Sequence, residues 1–330
     1  MVPGTLRSLL VVTALLVTGA VFAPARASAD PTAPDGSPSS LQAQLADASR
    51  AYNDAKGRLD AAKRRQADLT VQAAKTRDQL DALGPQAAAI AVAAYKGGRL
   101  SGMSALLSSG TPDDLLARAT TLQIQVDHDD RTLRDLAQAQ AAYTEQLAAI
   151  DTEIQTEAAQ VAVMDKRKSD LEKALGNAGA AGPAPHGSSA TPAPRNPDGS
   201  WPKESCSVKD PTTSGCLTPR TLHAYQEARN AGYTRYTACF RNESSGEHPL
   251  GRACDFSTNA TWFQNVPASG GDKAYGDSLA SWFLANSDRL AVLYVIWYQR
   301  IWLPATGWKA YHGDGTVAGN HLNHVHLSVQ

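Results

Sequence analysis

A histidine and an aspartate stand seven positions apart in Gly246-Glu247-His248-Pro249-Leu250-Gly251-Arg252-Ala253-Cys254-Asp255. Near the end of the chain, His324-Val325-His326 adds two imidazoles. Side chains alternate across a strand, so His324 and His326 share a face if that segment is extended. Imidazole nitrogen and carboxylate oxygen are donors that zinc takes in catalytic sites, where three protein ligands leave a fourth position for water. One His, one Asp and a later His therefore point to an open metal site of the hydrolytic kind. The chain has eight histidines, and four of them lie between His312 and His326. Such clustering favours a shared ion over scattered structural imidazoles.

The rest of the composition narrows the class. The 330 residues leave room for more than one domain. Lys and Arg number 31 against 32 Asp and Glu, a net charge of -1, so no nucleic-acid partner is expected. Arg7, the apolar run from Leu9 to about Ala23 and Ala27-Ser28-Ala29 read as a signal peptide over 1–29. That run falls short of the roughly 20 apolar residues of a membrane span. The mature chain is expected outside the cytoplasm. Its four cysteines, Cys206, Cys216, Cys239 and Cys254, are an even set without C-x-x-C spacing, which favours disulfides over metal or nucleophile roles. Proximity favours Cys206–Cys216 and Cys239–Cys254, although four cysteines allow three connectivities.

Several elements must hold these residues. A flexible leader is expected over 30–40. A coiled-coil domain follows over 41–177. Its first heptad run steps by four and three from Leu41, Leu45 and Ala48 to Leu80 and Leu83. Its second takes in Leu122, Val126, Asp129, Leu133 and Leu136, then Leu147, Ile150, Ile154 and Val161, and ends at Leu171 and Leu175. Gly84-Pro85 should end or kink the first run, with a short helix over Ile90 to Tyr95 after it. Thr111-Pro112 should cap the second long helix. The spacing therefore predicts an antiparallel hairpin with a small helical tip. An Ala/Gly/Pro-rich linker over 178–200 reads as a tether that lets the last domain move.

Residues 201–330 suffice for one modest core. A helix should start at Thr218-Pro219, with Leu222, Tyr225 and Ala228 inward, and stop at Gly232. Tyr233 to Phe240 has strand character, and the His248–Asp255 motif should follow in a loop. A helix over Tyr275 to Leu290, one strand over Ala291 to Trp302, a loop over Pro304 to Gly319 and a last strand over Val325 to Val329 complete the reading. Trp297 and Trp302 are expected in the core. The fold class is a long helical hairpin followed by a small α+β domain with a mainly antiparallel sheet.

At the motif itself, residues 236 to 330 resemble the zinc D-Ala-D-Ala carboxypeptidase and murein endopeptidase family, which shares its core with the hedgehog signalling domain. The family pattern is Ser-x-His-x-x-Gly-x-Ala-x-Asp followed by a C-terminal His, and this chain departs from it at Gly246. The resemblance implies His248, Asp255 and His326 as zinc ligands. It implies Arg241, after Cys239-Phe240, as the residue that steadies a substrate carbonyl or carboxylate. Many members place Glu three residues before the last ligand as the base, and here Asn323 stands there. His324, His321 and Glu247 are the candidate replacements, since His titrates near neutrality.

Ala94-Tyr95-Lys96-Gly97-Gly98 and the segment from Ser108 to Arg118 resemble the coiled-coil regulatory domain of secreted peptidoglycan hydrolases. That resemblance implies a membrane cell-division complex as the hairpin's partner. Together the two resemblances imply a secreted, zinc-dependent cell-wall peptidase acting on peptidoglycan. The alternatives are a non-catalytic wall-binding scaffold, favoured by Asn323, and a coiled-coil activator of a separate hydrolase.

Overall fold

The computed structural model describes residues 39–97, 104, 106–108, 110–176 and 179–330. The expected signal peptide, most of the leader and part of the hairpin tip lie outside the described residues. Helix α1 spans Ser39–Gly97 and helix α2 spans Pro112–Leu175. They run antiparallel: Arg65 on α1 forks onto Glu153 on α2 at 2.8 and 3.0 Å, while Leu45 and Leu171 share one apolar cluster at the base. The Thr111 hydroxyl accepts from the Asp114 amide at 3.1 Å and Pro112 occupies the first turn, so α2 starts as its capping residues dictate. Among the described residues, no helix is long and apolar enough to cross a membrane.

Two expectations about the hairpin are corrected. Helix α1 does not stop at Gly84-Pro85, and no separate helix forms over Ile90 to Tyr95. Pro85 is exposed, so the backbone carbonyl one turn before it can face water. The seam meanwhile continues in register through Leu83, Ala87 and Ile90, all at least half-buried. On α2 only one of the two expected rows faces α1, the row holding Leu122, Leu136, Ile150 and Leu171. The other row turns outward: Val126, Leu133, Leu147, Ile154 and Val161 are 44–49% exposed. Thr132, Ala139, Gln146, Glu153 and Gln160 take its place in the seam. The rotation of α2 follows from its fixed points, Glu153 under the Arg65 fork and Leu171 in the apolar cluster at the base.

The globular part begins with a two-stranded ribbon, β1 (Val208–Lys209) and β2 (Cys216–Leu217). Helix α3 (Pro219–Asn230) follows, capped by Thr218. Then come β3 (Thr237–Ala238), β4 (Ala253–Ser257), α4 (Gly270–Ala285), β5 (Val292–Ile296), β6 (Arg300–Leu303), β7 (Gly307–Ala310) and β8 (His324–Val329). The six-stranded sheet has the order β3-β4-β8-β5-β6-β7, with every pair antiparallel. The α+β class is as expected. Three local readings are not. Ala291 to Trp302 is a hairpin rather than one strand, because Tyr298 and Gln299 turn the chain with φ of 54° and 61°. Strand β7 lies within the expected loop over Pro304 to Gly319. Asp255 sits on β4 and not in a loop.

Each face of the sheet has its own cover. Phe256, Val295, Val325 and Leu327 pack against Ala224 and Ala228 of α3 and Leu279 and Phe283 of α4. Trp297 is fully buried in this cluster and Trp302 packs at its edge. On strands β5 and β6, Leu293, Tyr294, Ile296 and Ile301 receive Leu45, Ala48 and Leu171 from the base of the hairpin. A bulge in β5 between Val292 and Tyr294 offers carbonyls to the stalk. Asn53 Nδ2 donates to Val292 O at 2.9 Å and Ser49 Oγ to Leu293 O at 2.7 Å.

The described part of the linker is a bound strap and not a free tether. Its Ala180, His186 and Ala193 amides donate to Trp308, Ser281 and Arg289 carbonyls at 2.8, 3.3 and 2.7 Å. Asn286 clasps it from below, donating to Ser188 O and accepting from the Ala190 amide. Backbone groups make these bonds, so the segment needs no apolar side chains to stay down.

Candidate metal centre

Two strands and one loop bring the chemistry together. His324, His326 and Ser328 alternate with Val325, Leu327 and Val329 along β8, so the first three share one face. Strand β4 pairs with β8 in a register that sets Asp255 directly opposite His326. The loop before β4 brings in His248. It turns at Gly251, whose φ is +67° and whose amide closes onto His248 O at 2.9 Å. A Cβ at Gly251 would lie 2.5 Å from Cys206 Sγ, so only glycine fits there. Gly246, where the family pattern has Ser, also takes a left-handed φ of +87°.

His248 Nε2 lies 3.3 Å from His326 Nδ1 and 3.3 Å from Asp255 Oδ2. His326 Nδ1 lies 2.9 Å from Asp255 Oδ1. A tetrahedral ion with bonds of about 2.0–2.1 Å spaces its donors about 3.3 Å apart, so this trio has the right spacing for zinc. The outer ring nitrogens are held as well. His248 Nδ1 is bonded to the Cys239 carbonyl, and His326 Nε2 to Ser328 Oγ at 2.8 Å. With a proton on each outer nitrogen, lone pairs on the inner nitrogens face a common centre beside a carboxylate. Both histidines are fully buried and Asp255 is 4% exposed. Three converging acceptors repel one another unless a cation lies among them, and the donor set therefore fits a metal.

The disulfides form as proximity favoured, Cys206–Cys216 and Cys239–Cys254. The second one builds the centre. It ties the residue whose carbonyl orients His248 to the neighbour of Asp255 on β4.

The flanking residues divide clearly. Arg241 Nη1 reaches Asp255 Oδ2 at 2.5 Å and its Nε reaches Glu243 Oε2 at 3.0 Å, so Arg241 lies in the centre. Burial pushes the Asp255 carboxyl up, but the adjacent His248 and His324 rings and the Arg241 guanidinium outweigh it and hold the group well below the usual carboxylate range. His324 Nε2 is 3.6 Å from Asp255 Oδ1, just outside the trio. The His321 ring is 4.8 Å from that of His324 and 5.6 Å from that of His326. The Tyr294 ring stacks on His326 at 5.6 Å and 10°. Glu247 is engaged elsewhere, ion-paired with Arg50 of α1.

Asn323 has a task that the sequence did not reveal. Its Nδ2 donates to Gln264 O at 2.5 Å, which turns Oδ1 towards His324 Nδ1 at 2.7 Å. That pattern assigns the proton of His324 to Nδ1 and leaves Nε2 as the basic nitrogen. Ser328 and Tyr294 also escaped the sequence reading. Strand alternation beyond His326 points to Ser328, whereas nothing local points to Tyr294 or Arg50.

Residues 213–322 match the family model described as VldE, C-terminal domain. The match includes Arg241, His248, Asp255 and His321 and stops before His324 and His326. The chain is similar to an uncharacterized secreted protein of Arthroderma benhamiae, with 30% identity over 112 residues. That alignment covers 28% of this chain and 45% of the fungal protein, so the chain spans less than half of its relative's length. No solved structure matches.

Proposed function

We propose that this chain is a secreted zinc-dependent peptidase that cleaves peptide bonds of peptidoglycan, with its helical hairpin docked beside the site as a regulatory element. The observation that carries the reading is the trio of donors on His248, Asp255 and His326, spaced at 2.9 to 3.3 Å with their outer nitrogens bonded. These three residues would hold the ion, which when bound would supply Lewis acidity and lower the pKa of water. His324 Nε2, oriented by Asn323, takes the proton of the attacking water and returns it to the leaving amine. His321 backs that ring. Arg241 offers its guanidinium to a substrate carbonyl or carboxylate near Asp255. The two disulfides, and a fungal relative described as secreted, support a place outside the reducing cytoplasm. In the same reading the hairpin answers to a membrane cell-division complex.

The test is peptide or amino-acid release from purified peptidoglycan, measured with zinc, after chelation, and after zinc is restored. The reading expects activity that follows the metal. Undiminished release from protein shown to be metal-free would overturn it. The carboxamide of Asn323 at the usual Glu position favours a second reading, a wall-binding protein that holds zinc without turnover. That protein would sediment with walls and release nothing.

A further inference from the structure

The outward row on α2 has no partner among the described residues. Val126, Leu133, Leu147, Ile154 and Val161 recur every seven residues or at multiples of seven, and each is nearly half exposed. The one polar position inside this row is Gln140. A seven-residue repeat of apolar side chains faces another helix with the same repeat, because only that period keeps the contact on one side. The outer flank of α1 offers no continuous row; its large exposed apolar side chains are Val71, Val92 and Tyr95, with none between Val71 and Val92. A single bound helix or a second copy could cover the row.

We infer that the row is a self-association seam, and that α2 of one chain packs against α2 of a second copy to form a four-helix bundle. A second copy presents the same period and length, which a two-fold axis matches automatically. From Val126 to Val161 the row is about 50 Å long at about 1.5 Å per residue. With a width of about 10 Å, two copies bury roughly 1,000 Å² in all, which reaches the lower bound for a specific interface. The row also lies outside the seam that closes the hairpin, so the pairing leaves α1 against α2 and the docked base unchanged. This inference does not depend on the proposed peptidase activity.

The experiment takes the full mature chain. Mass in solution is measured by sedimentation equilibrium over a range of concentrations, for the parent and for Leu147→Glu with Ile154→Glu. Helix content by circular dichroism and the zinc content of each serve as controls for folding. The parent should approach twice the chain mass, and the double variant should stay at the chain mass with unchanged helix content. All four native cysteines are in disulfides, so an introduced cysteine is the sole free thiol. Leu147→Cys alone crosslinks if the copies run parallel. Gln140→Cys mixed with Leu147→Cys crosslinks if they run antiparallel. Either crosslink supports the seam. A parent that stays monomeric at every concentration overturns it and leaves the row to a different helical partner. A dimer insensitive to the double variant overturns it too.

Discussion

The Arg50 guanidinium on the first helix is ion-paired with Glu247, the residue immediately before His248. The stalk therefore touches the loop that carries a candidate ligand. Glu247 is 4% exposed, and its Oε2 has no hydrogen-bond partner among the described residues. Removing Arg50 strands a buried carboxylate, which the nearby Arg252 charge offsets in part. Arg50→Ala should cost about 1–3 kcal/mol in a denaturant titration. Adding Glu247→Gln should recover most of that loss. Equal stabilities for Arg50→Ala and the parent would show that the contact does not hold the stalk.

The trio and its neighbours should separate by metal content. His248→Ala, Asp255→Ala and His326→Ala should each lose bound zinc after dialysis, read by elemental analysis. His324→Ala should keep zinc at parental stoichiometry and lose about 10²–10⁴-fold in wall-lytic rate. Asn323→Ala should also keep zinc but slow the reaction about 10–100-fold, because His324 loses the bond that fixes its tautomer. Zinc lost with His324→Ala would move that residue into the ligand set.

Acid should act through Asp210. This carboxylate is fully buried and accepts from Thr212 N, Thr212 Oγ1, Thr213 Oγ1 and the Phe240 amide at 2.5 to 2.8 Å. Burial pushes its pKa up, but the hydroxyl and amide bonds outweigh that and hold it below the ordinary value. A depressed folded pKa means stability that is fully present above the unfolded pKa of about 4 and is lost as pH falls through the folded value. Asp210→Asn should therefore be less stable than the parent at neutral pH, and the gap should narrow in acid. A gap that stays constant down to low pH would remove Asp210 from this role.

The Cys239–Cys254 bridge closes a 15-residue separation. Loss of such a closure costs about 3 kcal/mol in the chain-entropy view. Replacing both cysteines by serine should lower stability by that order and weaken zinc binding, since the Cys239 carbonyl orients His248. The matching change at Cys206 and Cys216 should lower stability with a smaller effect on zinc. Equal effects on zinc affinity from both pairs would contradict the positioning role.

Much of this protein is local and was legible as such. The caps Thr111-Pro112 and Thr218-Pro219 start helices because a hydroxyl satisfies a free amide within three residues. The heptad of α1 reads correctly because side-chain spacing alone decides which face is apolar. His324 and His326 share a face because a strand alternates, and the nearest cysteines pair because short loops close easily. Where the chain offered two answers, only the tertiary structure chose. Helix α2 carries two apolar rows one helical step apart, and anchors at Glu153 and Leu171 decide which one faces α1. The strap over 179–200 looks like a tether because its bonds come from the backbone, which leaves no mark in side-chain composition. Asn323 reads as a missing base until Gln264, 59 residues away, sets the direction of its amide. Arg50 meets Glu247 across 197 positions, a contact that depends on where a long helix docks and not on any local pattern.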